Sequence, residues 1–181
     1  MTKSELRESW NLPPRYRKKV VESGRWGAAM AKVRSKLGTG TLLALTGNRG
    51  AGKTQIAARA MVEVTAGLKS AYYETATGIL MDFRACFKQS VQSTEREVMD
   101  GYVRHQLLVI DEFGKRGASE WEQNLLFSLL DNRYGQNRDT ILISNLSEAA
   151  FCALMGDSLV RRMNDSGGMI ECNWSEQERN K

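Results

Sequence analysis

A glycine-rich octet, GNRGAGKT at residues 47–54, has the residue types and the spacing of a phosphate-binding loop. Glycines let consecutive backbone N–H groups turn toward one centre, where they can hold phosphate oxygens at the positive end of a helix dipole. In such a loop Lys53 reaches the β- and γ-phosphates, and the hydroxyl of Thr54 ligates Mg²⁺. The octet therefore predicts a site for ATP and Mg²⁺, in which the residues contacting the nucleotide are Gly47, Asn48, Arg49, Gly50, Ala51, Gly52, Lys53 and Thr54.

Two adjacent carboxylates, Asp111 and Glu112, follow the apolar run at residues 107–110. Such a run is typical of a strand buried on both faces of a parallel sheet, whose carboxyl end opens into a nucleotide crevice. Asp111 is predicted to hold Mg²⁺ together with Thr54, and Glu112 to orient and deprotonate the attacking water. Alternatively, both are simply the first exposed residues after a strand. Beside a phosphate loop, the pair favours hydrolysis of ATP to ADP and phosphate over binding alone.

The elements around these motifs follow the order that a phosphate loop requires. An apolar and β-branched run at residues 41–46 precedes the octet and a helical spacing at 55–64 follows it, so a chance lysine in a glycine-rich turn is the weaker interpretation. Further strands are predicted at residues 70–74, 106–110, 140–144 and roughly 168–173, and helices at 76–89, 94–102, 119–134, 147–155 and 157–164. This alternation predicts an α/β fold with a five-stranded parallel sheet between helices.

The formal net charge of +5 is concentrated near the amino terminus. Residues 1–40 carry ten Lys and Arg against three Glu, whereas the remaining 141 residues carry 16 basic and 18 acidic side chains. This basic segment, with Tyr16 and Trp26 interleaved, is predicted to follow a nucleic-acid backbone or to dock on an acidic protein surface. A solvated helix face is the alternative. The cations concerned are Arg15, Arg17, Lys18, Lys19, Arg25, Lys32, Arg34 and Lys36.

The remaining composition argues against several other classes of protein. The three cysteines lie far apart without a metal-ligand spacing, which predicts reduced thiols and no Cys/His metal site. The single histidine, His105, is expected at a surface or a strand edge rather than in catalysis. The chain has no signal-like apolar start and no run of about 18 apolar residues, so we expect a cytoplasmic protein without a membrane partner.

Taken together, the motifs resemble those of AAA+ ATPases of the DnaC/IstB type, a family of bacterial and phage replicative helicase loaders and transposition helpers. The resemblance runs from about Leu12 to Trp174. It rests on LPPRYR at residues 12–17, the phosphate loop, YYETATGILMDFRACF at 72–87, LLVIDEFG at 107–114, ILISNLS at 141–147, MGDSLVRRM at 155–163 and ECNW at 171–174.

The resemblance implies a P-loop NTPase domain of the AAA+ type at residues 38–174, without a C-terminal lid domain, between a basic arm at 1–37 and a polar tail at 175–181. By the same resemblance the protein is a helicase loader that binds ATP with Mg²⁺, forms a homo-oligomer when ATP is bound, binds single-stranded DNA and helps to place a replicative helicase. Two alternatives stay open: an IstB-like transposition helper that binds duplex DNA and a transposase, or a nucleotide-dependent protein adaptor without DNA binding.

The resemblance also assigns catalytic roles to three residues beyond the first two motifs. Asn145 matches the family's first sensor residue, which holds the attacking water, although it could instead cap the helix that begins near Ser147. The family's arginine finger, which acts on the nucleotide of a neighbouring subunit, falls on Arg161 or Arg162. The motif favours Arg162, but this chain has Arg161 where an acidic residue is usual, so both stay open beside ordinary surface ion pairing.

In the helicase-loader branch of the family, an insert contacts single-stranded DNA. Residues 76–102 match this insert, so the resemblance implies DNA contacts here. Aromatic faces stack on bases while nearby cations follow the phosphates. Phe83 and Phe87 lie four residues apart on a predicted helix, so a core position is the alternative, and it is favoured for Phe83. The residues predicted to bind DNA are Phe87, Lys88, Lys115, Arg116, Ser119 and Trp121.

Overall fold

A computed structural model describes residues 10–17, 22–87, 93–114 and 119–175 of the chain. A short 3₁₀ helix at Pro14–Tyr16 precedes the regular elements. In chain order these are α1 (Gly24–Lys36), β1 (Leu42–Gly47), α2 (Lys53–Ala66), β2 (Ala71–Thr75), α3 (Ala76–Ala85), α4 (Glu95–Val103), β3 (Leu107–Asp111), α5 (Glu120–Gly135), β4 (Asp139–Ile143), α6 (Glu148–Ser166) and β5 (Gly168–Cys172).

The strands form one sheet in the order β2-β3-β4-β1-β5, and every neighbouring pair is parallel. This arrangement confirms the predicted α/β fold with a five-stranded parallel sheet. Because parallel strands end along the same edge, the octet after β1 and the carboxylate at the end of β3 lie on either side of Asn145, which follows β4. The sheet order therefore brings three motifs that are distant in sequence to one edge.

Helices cover both faces of the sheet, and the side chains of β1 alternate between the two cores. Leu43 and Leu45 are buried in a cluster with residues of α1 and α2. Leu42 and Ala44 are buried in a second cluster with residues of α3, α4, α5 and α6. Full burial of a leucine side chain contributes about 1.5–3 kcal/mol, so each face fixes the sheet against its own layer of helices.

The largest difference from the sequence-based prediction is α1, a helix within the segment assigned to a basic arm. The helix buries four residues with helical spacing, Trp26, Ala29, Met30 and Val33. The cations between them in the sequence suggested a solvated basic arm instead. The interpretation of Trp26 as an aromatic residue among exposed cations is wrong, because its side chain is completely buried. The domain boundaries proposed after residues 37 and 174 stay predictions.

Two buried charged residues, neither of which was predicted from the sequence, hold the opposite edge of the sheet. Arg133 of α5 is fully buried and donates to the carbonyl oxygens of Tyr102, Val103, His105 and Asp139 and to the hydroxyl of Thr140. The carboxylate of Asp139 accepts from the N–H groups of Gly38, Gly40 and Thr41. Burial lowers the pKa of Arg133 to about 9. These bonds fix the chain where β1, β3 and β4 begin.

Among the described residues, no helix combines the length and the apolar character needed to cross a membrane.

Candidate functional site

A cavity of about 1100 Å³ opens at the carboxyl edge of the sheet, where the predicted motifs meet. Its lining includes residues of the octet, the ends of β3 and β4, and the segment that precedes α1. From the octet, Arg49, Gly50, Gly52, Lys53 and Thr54 face the cavity, and Asp111, Glu112 and Asn145 complete the predicted set. A single concave site therefore contains Lys53, Thr54, Asp111, Glu112 and Asn145, the side chains expected to bind the phosphates and Mg²⁺ and to act on the attacking water.

Glycines are required in the octet by close contacts and by backbone conformation. Gly47 has φ 104°, and a Cβ atom there would lie 2.6 Å from the carbonyl oxygen of Cys172. Gly50 and Gly52 also have positive φ, at 81° and 85°, which L side chains rarely adopt. The loop then passes directly into α2, which begins at Lys53. The backbone thus has the strand–loop–helix geometry that suits phosphate binding.

The Lys53 ammonium group lies at the base of the cavity with three oxygen partners. It donates to the carbonyl oxygens of Gly47 and Asn48, at 2.7 Å each, and to Oδ1 of Asn145 at 3.0 Å. The residue is only 5% exposed, and this burial lowers the pKa of its ammonium group. A buried cation held by neutral oxygens can exchange these partners for phosphate oxygens.

Asp111 joins two hydroxyl groups at the end of β3. Its Oδ2 accepts from the hydroxyl of Thr54 at 2.9 Å and from the phenol of Tyr73 at 2.8 Å, and its Oδ1 accepts from the N–H of Glu112 at 2.7 Å. Burial and the Asp111 carboxylate raise the pKa of Tyr73 well above its ordinary value, so the phenol stays a donor. A hydroxyl and one carboxylate are ligands that Mg²⁺ accepts when phosphates and waters complete its shell.

The contact of Tyr73 with Asp111 could not be predicted from the sequence, because nothing in YYET distinguishes Tyr73 from Tyr72. The two residues point to opposite faces of β2. Only the pairing of β2 with β3 brings one phenol beside Asp111.

Glu112 has φ 58°, an uncommon conformation for a residue other than glycine. Such backbone strain, of order 1–3 kcal/mol, clusters at functional sites. Asn145 is exposed and contributes its amide oxygen to Lys53. The cap of α6 is Ser147, whose hydroxyl accepts from the N–H of Ala150, so Asn145 is not needed for capping.

The two candidate finger arginines lie on α6, outside the cavity lining. Arg162 is paired with Asp131 of α5, and its guanidinium lies 5.6 Å from the centroid of the Tyr134 ring. Arg161 is exposed and makes no ion pair within the described part of the chain. A break at Gly156, with φ 71° and ψ 163°, divides α6 as the two predicted helices require.

Of the residues predicted to bind DNA, the structure brings two together. Phe87 is 63% exposed and Trp121 is 39% exposed, and their ring centroids lie 5.9 Å apart. Phe83 is buried and belongs to the core, as its favoured alternative required. Ser119 caps α5 through the N–H of Glu122. Lys88, Lys115 and Arg116 lie outside the described residues.

Comparison with known proteins gives a family and a fold. A model of the family described as IstB-like ATP binding protein matches residues 35–165. The replicative helicase loader DnaC of Buchnera aphidicola subsp. Baizongia pistaciae is 25% identical over 130 residues, which cover 71% of this chain and 53% of that protein. The chain spans about half the length of the curated relatives it matches.

Two solved structures illustrate the shared fold. AMPPCP-bound DnaA from Aquifex aeolicus superimposes with a TM-score of 0.73 at 22% identity, covering 93% of this chain and 53% of that one. The crystal structure of the DnaC helicase loader gives a TM-score of 0.68 at 18% identity, covering 91% of this chain and 98% of that one. The fold is that of an AAA+ P-loop domain.

Proposed function

The chain belongs to the family of IstB-like ATP-binding proteins, and from this premise we propose that it is an ATPase that binds ATP with Mg²⁺ and hydrolyses it to ADP and phosphate. The observation that carries the proposal is the meeting of Lys53, Thr54, Asp111 and Asn145 through hydrogen bonds of 2.9–3.0 Å at one edge of the sheet. The four residues come from three segments that are distant in sequence, the start of α2, the end of β3 and the loop after β4, and the fold brings these segments together.

The phosphate groups of ATP would lie over the octet at the start of α2. Backbone N–H groups and the helix dipole favour the anion there. Lys53 would exchange carbonyl partners for phosphate oxygens, while Thr54 and Asp111 would hold Mg²⁺. Held there, Mg²⁺ would supply positive charge that offsets the negative charge developing on the phosphates during transfer.

Glu112 and Asn145 are proposed to act on the attacking water. The Glu112 carboxylate lines the cavity next to the proposed metal ligands and would accept a proton from that water. Because the oxygen of the Asn145 amide already accepts from Lys53, its NH₂ group is left to donate toward the water or the γ-phosphate.

A complete site would need a second copy of the chain, because neither Arg161 nor Arg162 lines the cavity. We propose an ATP-bound homo-oligomer in which one of them stabilises the transition state of a neighbouring subunit. The motif favours Arg162, whereas its pairing with Asp131 leaves Arg161 the more accessible cation. Both therefore remain candidates.

The DnaC-like relationship supports a role as a replicative helicase loader that binds single-stranded DNA. The Phe87–Trp121 pair is an exposed aromatic surface of the kind on which bases stack. A cavity of about 640 Å³ is lined by Glu112 and by two residues close in sequence to the aromatic pair, Arg84 of α3 and Glu122 of α5. DNA binding is thus expected to stimulate ATP hydrolysis. The IstB-like family match favours a second candidate, a transposition helper acting on duplex DNA.

The proposal is tested by measuring ATP hydrolysis with Mg²⁺, and then with added single-stranded or duplex DNA. Stimulation by single strands, together with co-purification of a replicative helicase, would support the loader. Preference for duplex DNA and capture of a transposase would support the second candidate. Absence of Mg²⁺-dependent hydrolysis under every condition would refute the ATPase itself.

A further inference from the structure

Two buried tryptophans donate hydrogen bonds to the backbone of the phosphate loop. The indole N–H of Trp26, in α1, lies 3.3 Å from the carbonyl oxygen of Gly52. The indole N–H of Trp174, just after β5, lies 3.0 Å from the carbonyl oxygen of Ala51. Trp26 is completely buried and Trp174 is 5% exposed. Segments from both ends of the described chain therefore meet on two successive peptide groups of one loop.

A hydrogen bond to the carbonyl oxygen of a peptide group also fixes the direction of the N–H group in the same peptide plane. In a trans peptide the C=O of one residue and the N–H of the next point in opposite directions. The bond from Trp174 thus orients the N–H of Gly52, and the bond from Trp26 orients the N–H of Lys53. Both N–H groups point away from the indoles, and both residues line the nucleotide cavity.

Ordering the phosphate loop costs conformational entropy, which these two hydrogen bonds help to offset. Gly50 and Gly52 have positive φ, and glycine loses more conformational freedom on ordering than any other residue. A loop that must be ordered by its ligand binds that ligand more weakly than one ordered in advance. The Gly52 carbonyl also accepts the N–H of Ile56 at 2.9 Å, so Trp26 reinforces a peptide that already begins α2.

We propose that Trp26 and Trp174 are positioning residues that pre-organise two N–H groups of the loop for the phosphates of the nucleotide, a role that rests on the proposed ATP site. The role predicts weaker nucleotide binding without a change in the chemical step. Phosphates occupy the loop in the ground state and in the transition state alike, so the loss affects KM and leaves kcat unchanged.

Trp10 provides the matched control. It is also buried, at 3% exposure, and its carbonyl oxygen accepts from the N–H of Tyr73 in β2. The indole of Trp10 does not line the nucleotide cavity. Trp10→Phe therefore reports the effect of the same substitution at a third buried tryptophan, whose backbone bonds to β2 rather than to the octet.

The test compares Trp26→Phe, Trp174→Phe, the double variant and Trp10→Phe in the full chain. Phenylalanine keeps an apolar ring but removes the N–H donor. Calorimetric titration with ADP and Mg²⁺ should show about three- to tenfold weaker binding for each loop-facing variant, the effect of one hydrogen bond. Trp10→Phe should bind ADP as the unmodified chain does, even where its melting temperature falls equally.

Unchanged affinity in the double variant, beside lowered melting temperatures, would overturn the inference and leave the two rings as core packing alone. Failure of the unmodified chain to bind ADP or ATP would refute the proposed function itself. If one loop-facing variant does not fold, the other single variant gives the answer, because each indole holds its own peptide group of the loop. Unchanged ADP affinity in the variant that folds would then overturn the inference.

Discussion

Lys53 and Glu112 line the same cavity, and substitutions distinguish their proposed roles. Lys53→Ala removes the only lysine side chain at the base of the described cavity, so we expect nucleotide binding to be lost. Glu112→Gln keeps the size and polarity of the side chain but removes the general base, so ATP should bind normally. Turnover should then fall about 10²- to 10⁴-fold. Calorimetry measures the binding, and phosphate release measures the turnover.

Asp111→Asn serves as a comparison for Glu112→Gln, because the same change of carboxylate to amide then falls on the proposed metal ligand. It should raise the Mg²⁺ concentration needed for half-maximal activity, which Glu112→Gln should leave alone. Native turnover by Glu112→Gln would show that another group activates the water.

The sequence predicts those site residues whose spacing is local, and misses those whose contacts depend on packing. The octet, the carboxylates after β3 and the asparagine after β4 each follow a strand end, where parallel topology brings them together. Tyr73, Trp26 and Trp174 carry no such signal. An aromatic residue that donates one hydrogen bond to the site has the same pattern as one that only fills the core.

At the scale of elements, the strands were predicted to within about a residue because buried parallel strands are continuous apolar runs. Helix α1 was missed because its apolar residues alternate with cations that suggested a solvated arm. Of the two positions expected for His105, the surface is wrong, whereas a place beside a strand agrees with the structure because His105 lies two residues before β3. Its side chain is 9% exposed and stacks on Tyr72, with ring centroids 5.0 Å apart. His105 does not line the nucleotide cavity.

Where α4 meets β3, burial gives His105 a predictable effect on stability. Burial, with the nearby charges of Arg104 and Arg133, lowers the pKa of His105 to about 4. Between pH 6.5 and 4 the unfolded chain binds a proton at this side chain that the folded chain does not. The free energy of unfolding should therefore fall as the pH falls through this window, by up to about 3 kcal/mol. Denaturant titrations at each pH measure it.

His105→Phe is the control, because it keeps a ring beside Tyr72 but cannot titrate. Titration of the carboxylates changes the unfolding free energy of the unmodified chain and of His105→Phe equally. The difference between the two unfolding free energies therefore isolates the titration of the histidine. That difference should change in favour of His105→Phe on acidification, and a constant difference from pH 7 to pH 4 would contradict the expectation.

Between α3 and α5, the exposed rings of Phe87 and Trp121 make a prediction about DNA. Replacing either with alanine should weaken single-strand binding by about 1–3 kcal/mol, because one stacking face is lost. ATP affinity should change little, and the melting temperature should fall less than for a core residue, since Phe87 is 63% exposed and Trp121 is 39% exposed. Fluorescence anisotropy with labelled single strands measures the effect.

Phe83→Ala is the matched control, one helical turn before Phe87 and 1% exposed. It should cost about 3–5 kcal/mol of stability while the folded fraction keeps its DNA affinity. If Phe87→Ala behaved like Phe83→Ala, the aromatic pair would be a packing contact and the proposed DNA surface would lose its main support.

At the scale of the whole molecule, part of the amino-terminal basic excess is neutralised within the fold. The Arg34 guanidinium pairs with Glu63 at 2.7 Å and with Glu22 at 2.8 Å, and Arg59 pairs with Glu22 at 2.8 Å. Hydrogen bonding to Arg34 lowers the pKa of Glu22. Arg34 therefore serves the packing of α1 on α2, and it is a weaker candidate than its neighbours for following a phosphate backbone.

In the proposed homo-oligomer a neighbouring subunit completes the active site, so ATP hydrolysis would depend on assembly. An Arg161→Ala, Arg162→Ala double variant still holds Lys53, Asp111 and Glu112, whereas Lys53→Ala lacks nucleotide but retains both arginines. Mixing these two inactive chains should restore part of the activity, because each supplies what the other lacks. A trans arginine is worth about 10³-fold or more in rate, so even a small fraction of mixed interfaces is measurable.

The two single arginine variants then identify the finger, since only one of them should need rescue. Loss of ATP hydrolysis in Arg161→Ala alone would identify the exposed Arg161 as the finger. Loss in Arg162→Ala alone would mean that the ion pair of Arg162 with Asp131 opens when a neighbouring subunit docks. Asp131→Ala distinguishes that opening from simple destabilisation. Freed of its partner, Arg162 should then reach the neighbour more readily, and activity at low protein concentration should rise. Hydrolysis per subunit that is independent of protein concentration, with no rescue in any mixture, would mean that each chain completes its own site.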